Sequence, residues 1–467
     1  MKVIETTWAS KTLFFLLGAT IIFTALAYGT VHQPILAIFY IAAIVVFLLW
    51  MADAFIGGVL RFNKSLLQIP LTAAFLYALV QTIPFGSLAE VAGVSGIPRT
   101  MSLDPFGTKV AALHFFALLL FFAALLTFID SAKRLRKIVS LITIFGFVFA
   151  FFAILQAVLS PNKIYGIYEV PYATPFGSFV NRHNFAAYME MTLCLPLGLM
   201  FVGAVQKDRR LLYITSIALM GIALLLSGSR GGLISLLAAI LFLIILTTRT
   251  KNYNQFALKS GLAVLLVATI IVGSILIGGE SSLTRLAESS NPEDLSTNRM
   301  HIWSVTMGVI LKNLPFGAGF GAFGVAYTPF DSLNGLERVE QAHNDYLEVL
   351  AVAGIVGLII GVFFLFQLFR TGLENVKTSN TFRRGVCVGA LAGCFAILVH
   401  SLFDFVLHTT AISMLFLTLV SLVVVSGIQF PDDVKESDSR RSRNPRPAAT
   451  VTPIEKGRRK KVIQKNK

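Results

Sequence analysis

Charge is scarce in this chain. Only 13% of its 467 residues are Asp, Glu, Lys or Arg, about half the share of a soluble globular domain. That deficit excludes a fold surrounded by water on every side. Cysteine is nearly absent. Cys194, Cys387 and Cys394 all fall inside apolar runs, lack metal-ligand spacing, and read as small core residues. Trp and Tyr are few, at 3 and 11, against 40 Phe. Phe has no polar atom to satisfy, so it suits lipid-facing and helix-packing positions. No repeat of solenoid length is present. Nor is there a pair of matching interrupted helices of the kind that marks inverted-repeat transporters.

What is present is apolar sequence in long runs: 55% of residues are hydrophobic and the mean hydropathy is +0.76. Segments of about 17–24 apolar residues can each cross a bilayer as a helix. The sequence predicts them near 12–30, 35–52, 66–83, 108–129, 138–158, 185–205, 211–229, 232–248, 258–278, 346–369, 385–407 and 409–429. The expected fold is therefore all-α, a polytopic membrane protein of about 12 transmembrane helices. Residues 1–430 form the membrane domain and 431–467 a basic, disordered tail. Lys2 and Lys11 precede an apolar run ending in Ala25-Leu26-Ala27, which resembles a cleavable leader. Glu5 and Trp8 in that leader favour an uncleaved first helix.

The net charge of +15 could suggest a nucleic-acid partner, but its distribution argues for none. Basic residues cluster in alternate connections, such as Arg61 and Lys64, or Lys133, Arg134, Arg136 and Lys137. Together with the two ends, these connections hold 30 of the 39 Lys and Arg residues. By the positive-inside rule they are cytoplasmic, as are both termini. The basic tail then lies against anionic lipid of the bilayer. Three outer segments are long: about 84–107, 159–184 and 279–345. The last, between helices 9 and 10, is the largest, and Met300 to Leu311 within it has a helical pattern of apolar residues.

The outer side collects the residues able to do chemistry. Asn181, Arg182, His183 and Asn184 close the second outer loop, and Ser229, Arg230, Gly231 and Gly232 sit between helices 7 and 8. An Arg between two apolar helices costs about 2–3 kcal/mol unless paired or wet. The flanking glycines permit close approach of a bulky group. The guanidinium fork fits phosphate, so an anionic ligand is the functional reading of Arg230 and interfacial snorkelling the alternative. Arg299, in the large loop, is a solvated charge unless a ligand claims it. His343, followed by Asn344, Asp345, Tyr346 and Glu348, stands where that loop enters helix 10. His is well suited to proton transfer near neutral pH. His400, Asp404 and His408 are spaced i, i+4 and i+8, which predicts one helical face; an internal polar cluster near the site is the first reading, interfacial snorkelling the second, and a metal site would need a ligand from elsewhere. Gly317, Gly319 and Gly321 look like a dinucleotide loop, but no strand precedes them, so a turn over the membrane surface is expected. The outer loops lack an Asp-x-Asp pair of the kind that would hold a metal for a nucleotide-sugar donor.

In this order the motifs resemble the O-antigen ligase and polymerase family. They are Asn181, Asn184 and Ala187; Ser229, Arg230 and Gly231; Arg299 and Trp303; Pro315, Gly317 and Gly319; His343, Asn344, Tyr346 and Leu347; and His400, Ser401, Leu402 and Asp404. The resemblance spans roughly residues 100–430. It implies a GT-C-type glycosyltransferase of the bacterial inner membrane, with no cofactor and no metal. The donor would be an undecaprenyl-diphosphate-linked glycan and the acceptor a lipid A core sugar or another glycan. It also implies that Arg230 and Arg299 bind the diphosphate and that His343 activates the acceptor hydroxyl for a single inverting step at the periplasmic face. Asn181, Arg182, Asn184, Asn344, Tyr346, His400 and Asp404 would line the substrate site. A ligase is the first reading and a repeat-unit polymerase the second. A transporter of small anions is the alternative from a different class. A transporter should place its ionisable groups near the bilayer midplane, whereas here they gather at the outer end.

Overall fold

The computed structural model describes residues 7–88, 93–171, 173–248, 296–332 and 339–430, with a few positions between 260 and 268. The helical bundle belongs to one compact unit, Met1–Ile428. The tail 431–467, expected to be disordered, lies outside the described residues, as does most of the helix expected at 258–278.

Helices α1 (Trp8–Leu26), α2 (Gln33–Gly57), α3 (Gln68–Gln81), α4 (Pro105–Phe128) and α5 (Ala132–Leu159) come first. A two-stranded hairpin, Lys163–Ile164 with Tyr168–Glu169, interrupts the helices. Then follow α6 (Arg182–Val202), α7 (Arg210–Leu226), α8 (Arg230–Thr247) and α9 (Ser296–Asn313). The short α10 (Phe323–Tyr327), α11 (Asp345–Asn375), α12 (Thr381–His400) and α13 (Thr410–Val425) complete the order. Among the described residues nine helices are long and apolar enough to cross a membrane, and α3 and α13 are shorter apolar helices. These eleven fall on eleven of the twelve expected segments, so the chain is a polytopic helical membrane protein. Helix starts are encoded locally. Asp104, Ser131, Asn181, Ser229, Asn344 and Asn380 each cap a helix by accepting hydrogen bonds from its first amide groups.

Helices α6 and α12 form the centre, with 83% and 72% of their apolar windows buried, against 22% for α2. Glycines set their crossing. A Cβ at Gly198 of α6 would lie 2.3 Å from the backbone nitrogen of Gly389 in α12, and one at Gly389 would lie 2.7 Å from the carbonyl oxygen of Cys194. Within a membrane, association rests on such close packing because lipid supplies no hydrophobic drive. All three cysteines are buried and free.

Helix α11 is broken at Gly354, whose φ is +59°. The turn at 315–321 supplies the hydrogen bonds that the break frees. Ala318 and Gly319 donate their amide N–H groups to the carbonyls of Ala351 and Val352 at 2.8 and 2.9 Å, and Ile355 donates to Pro315 at 2.9 Å. Gln81, fully buried at the end of α3, donates to the Val352 carbonyl at 3.0 Å and accepts from Phe320 at 3.1 Å. The glycine-rich turn is thus a packing element wedged among α3, α4 and α11, as expected of a turn rather than a nucleotide loop. Irregular backbone packed among helices needs its polar groups satisfied by protein, as they are here.

At the other end of α4 an ion-pair network joins four helix ends. Arg61 pairs with Asp53 at 2.6 Å and Asp130 at 2.9 Å, and Arg134 pairs with Asp130 at 3.2 Å while donating to Ser10 Oγ at 2.8 Å.

Candidate active site

One end of the bundle brings together the start of α6, the start of α8, the first turns of α9, the loop before α11 and the loop after α12. Their side chains meet at Asp404, which is 3% exposed. Its Oδ1 accepts from the amide of Phe405 at 2.9 Å and faces His343 Nδ1 at 3.3 Å. Its Oδ2 lies 3.4 Å from Arg299 Nη2 and 4.0 Å from His183 Nδ1. His183 Nδ1 is also 3.0 Å from the hydroxyl of Ser229, the cap of α8.

The electrostatics follow from these contacts. Burial would raise the Asp404 carboxyl. The hydrogen bond with His343 and the charges of His183 and Arg299 outweigh it and hold Asp404 well below the usual carboxylate range. An ionised carboxylate only accepts hydrogen bonds. His343 therefore donates from Nδ1, and in the neutral ring the lone pair is on Nε2. The His343 ring is also set edge-on against Phe405, with centroids 4.7 Å apart. A carboxylate that fixes the tautomer and orientation of an imidazole is a recurring arrangement for general-base chemistry.

Arg230 is exposed on the first residue of α8, and its two neighbours touch the same cluster. Ser229 meets His183, and a Cβ on Gly231 would stand 3.0 Å from the ring of His400. The sequence Ser229-Arg230-Gly231 is thereby explained: a cap, an exposed guanidinium, and a residue small enough to pack on a buried imidazole. Three helix N-termini, of α6, α8 and α11, converge here, and each presents the positive end of its dipole. With Arg182 and Arg230 at the starts of α6 and α8 and Arg299 on α9, the region is suited to an anion.

The expected site residues do not all behave alike. Asp404 is brought into contact with both Arg299 and His343, and Arg230 follows Ser229, which meets His183. Asn181 caps α6 and accepts from the His183 amide at 2.8 Å. Arg182 is half-buried, with its amide donating to the Thr174 carbonyl at 2.9 Å, and Asn184 is buried. Asn344 caps α11 and donates to the Leu402 carbonyl at 2.9 Å, so its role is to join the two loops. Tyr346 turns away and donates its hydroxyl to the Leu398 carbonyl at 2.6 Å.

The expectation that His400, Asp404 and His408 share a helical face is corrected. Helix α12 ends at His400, residues 401–405 turn, and Val406–His408 is a separate 3₁₀ turn. The three side chains point into three different contacts. His400 is 1% exposed and pairs with the fully buried Glu190 of α6 at 3.1 Å, so it supports the site from behind. His408 pairs with Glu348 at 3.0 Å, with Asp345 Oδ1 3.9 Å away. Burial disfavours its imidazolium, but the carboxylates of Glu348 and Asp345 outweigh that and raise His408 to about 9.

Sequence reasoning missed Glu190 and the role of His183. Glu190 is the sole acidic residue of α6, and an ionisable group inside an apolar span is by itself a signal. Among the described residues no group of three or more His, Cys, Asp or Glu side chains is arranged to hold a metal ion.

No curated protein matches the chain. A family model described as O-antigen ligase matches residues 215–362, a segment that includes Arg230, Arg299 and His343. Over that segment the chain is similar to the O-antigen ligase family, the family its motifs resemble.

Proposed function

We propose that the protein transfers a glycan from undecaprenyl diphosphate to a sugar hydroxyl of an acceptor, in the manner of an O-antigen ligase, at the periplasmic face of the inner membrane and without a metal. The observation that carries this reading is one buried carboxylate, Asp404, in contact with both His343 and Arg299. One group thereby orients a proton acceptor and an anion-binding guanidinium toward a common point. Arg299 has five N–H donors, so a contact with Asp404 leaves others for a diphosphate. Arg230 supplies a second guanidinium.

In the step proposed, the acceptor hydroxyl gives its proton to His343 Nε2 as its oxygen attacks the anomeric carbon. The bond from that carbon to the diphosphate oxygen breaks, and the lipid diphosphate leaves with the electron pair. Attack opposite the leaving group inverts the anomeric centre. Arg230 and Arg299 offset the charge growing on the leaving diphosphate, the type of contribution that is greatest in a site shielded from water.

The test is a transfer assay with purified protein and one lipid-linked glycan, offered lipid A core or a second lipid-linked glycan as acceptor. The reading expects glycosylated core with lipid diphosphate released, and no product from Arg299→Ala. Product only on the second lipid-linked glycan would make the protein a polymerase. No product on either acceptor would remove the transferase reading.

A further inference from the structure

Backbone strain is rare here and sits beside the proposed base. Among the described residues four non-glycine positions have positive φ, and His343, at +50°, is one of them. A side-chain-bearing residue holds that conformation only when its surroundings impose it. The residue just before His343, Ala342, is held at both its amide and its carbonyl. The amide N–H of Ala342 donates to Glu348 Oε2 at 2.9 Å, and the indole of Trp303 donates to the Ala342 carbonyl at 3.0 Å. Glu348 is 3% exposed and has its other oxygen on His408 at 3.0 Å.

We propose that Glu348, itself held by His408, is a positioning residue that fixes the left-handed turn at His343 and so sets the imidazole on Asp404. The inference rests on the reading of His343 as the base. Glu348 acts from inside the protein and through the backbone. Its carboxylate is fully engaged, by a backbone amide on one oxygen and an imidazole on the other, which argues against its serving as the base itself. Helix geometry explains the choice of residue. Glu348 stands one turn into α11, on the segment before the break at Gly354, so it travels with Asn344 and the His343 turn as one short rigid piece. The charged or titratable groups that face His408 are Glu348, Asp345 and His114. Releasing the Ala342 amide lets the turn relax toward negative φ, and that rotation carries the ring away from the 3.3 Å contact with Asp404. A displacement of about 1 Å in a reacting group costs roughly 10²-fold in rate.

The experiment measures kcat and donor KM of the full-length purified protein, with lipid-linked glycan and acceptor, for Glu348→Ala, Glu348→Gln and His343→Ala. Glu348→Ala is expected to lower kcat by about 10²-fold and leave donor KM within about twofold, because the arginines are untouched. Glu348→Gln keeps an oxygen for the Ala342 amide and should recover about tenfold of that loss, the scale of one retained hydrogen bond. A Gln variant no better than Ala, a rise in KM without loss of kcat, or wild-type kinetics in Glu348→Ala would overturn the positioning role. Full activity in His343→Ala would instead remove the base assignment on which the inference stands.

Discussion

The Asp404→Asn substitution removes one charge at the meeting point of the site and changes almost no volume. Oδ1 of Asp404 accepts from the Phe405 amide at 2.9 Å and faces His343 Nδ1 at 3.3 Å, so an Asn that turns its carbonyl to Arg299 gives up the Phe405 bond and presents its NH₂ to His343. What changes is the proton on His343. Asp404 forces Nδ1 to donate, whereas an amide NH₂ can donate to Nδ1 and move the ring proton to Nε2. That tautomer has no lone pair facing the acceptor. The loss should therefore approach the full value of general-base help, about 10²–10⁴-fold, or roughly 3–5 kcal/mol of barrier at about 1.36 kcal/mol per decade. Arg299 loses its anionic partner at 3.4 Å but is partly exposed, so water compensates it. Because Asp404 is held well below the usual carboxylate range, it stays ionised over the whole working range, and an acid limb in the rate is not its titration. The assay is initial rate of glycan transfer in detergent, with thermal unfolding measured on the same samples. A rate for Asp404→Asn within about threefold of wild type, in folded protein, would refute the tautomer argument, which requires a loss of at least about 10²-fold.

Three other outcomes are expected. Arg230→Lys keeps the charge and loses the planar fork; transfer should fall by at least about tenfold, one charged hydrogen bond's worth, while membrane levels of the protein match wild type on an immunoblot. The His408–Glu348 pair should give a pH-dependent stability: with His408 raised to about 9, its contribution is fully present below about pH 6.5 and is lost as pH rises through about 9. Melting temperature should fall across that window, and His408→Gln should flatten the fall. Gly198→Ala puts a methyl 2.3 Å from the Gly389 backbone, which forces α6 and α12 apart; a loss of about 1–3 kcal/mol should appear as reduced accumulation of folded protein by size-exclusion chromatography.

Span positions are legible in the sequence because lipid imposes one rule, that about 20 apolar residues form a helix, and eleven of the segments read that way correspond to helices. The contents of the site are legible in part. Arg230 and His343 stand out because each is polar near an apolar boundary, whereas Arg299, in a polar loop, is singled out only by the resemblance. The company they keep is not legible. Asp404 and His343 are 61 positions apart and Arg299 and Asp404 105 apart, and spacing along one segment says nothing of contacts between segments. The false helical face of His400, Asp404 and His408 has a specific cause. Apolar Leu402, Phe403 and Phe405 continue the hydrophobic run, so composition does not mark where α12 ends. The helix stops there because the loop is held by other segments: the Asn344 side chain binds the Leu402 carbonyl, and Asp345 binds the Ser401 hydroxyl at 2.7 Å. Such tertiary contacts override local periodicity. Tyr346 departs from expectation for a similar reason, since a tyrosine near a helix start can reach either the site or a neighbouring helix, and here it reaches Leu398.

The most direct test of the central claim is donor binding against turnover in His343→Ala. Purified wild type and variant would be titrated with a lipid-linked glycan in nanodiscs, and single-turnover transfer followed by mass spectrometry of the product. Donor affinity unchanged within about twofold, with transfer lowered by about 10²–10⁴-fold, is the predicted result, because on the proposed mechanism the arginines hold the diphosphate and His343 only takes the proton. Transfer at the wild-type rate, or loss of donor binding together with transfer, would contradict it.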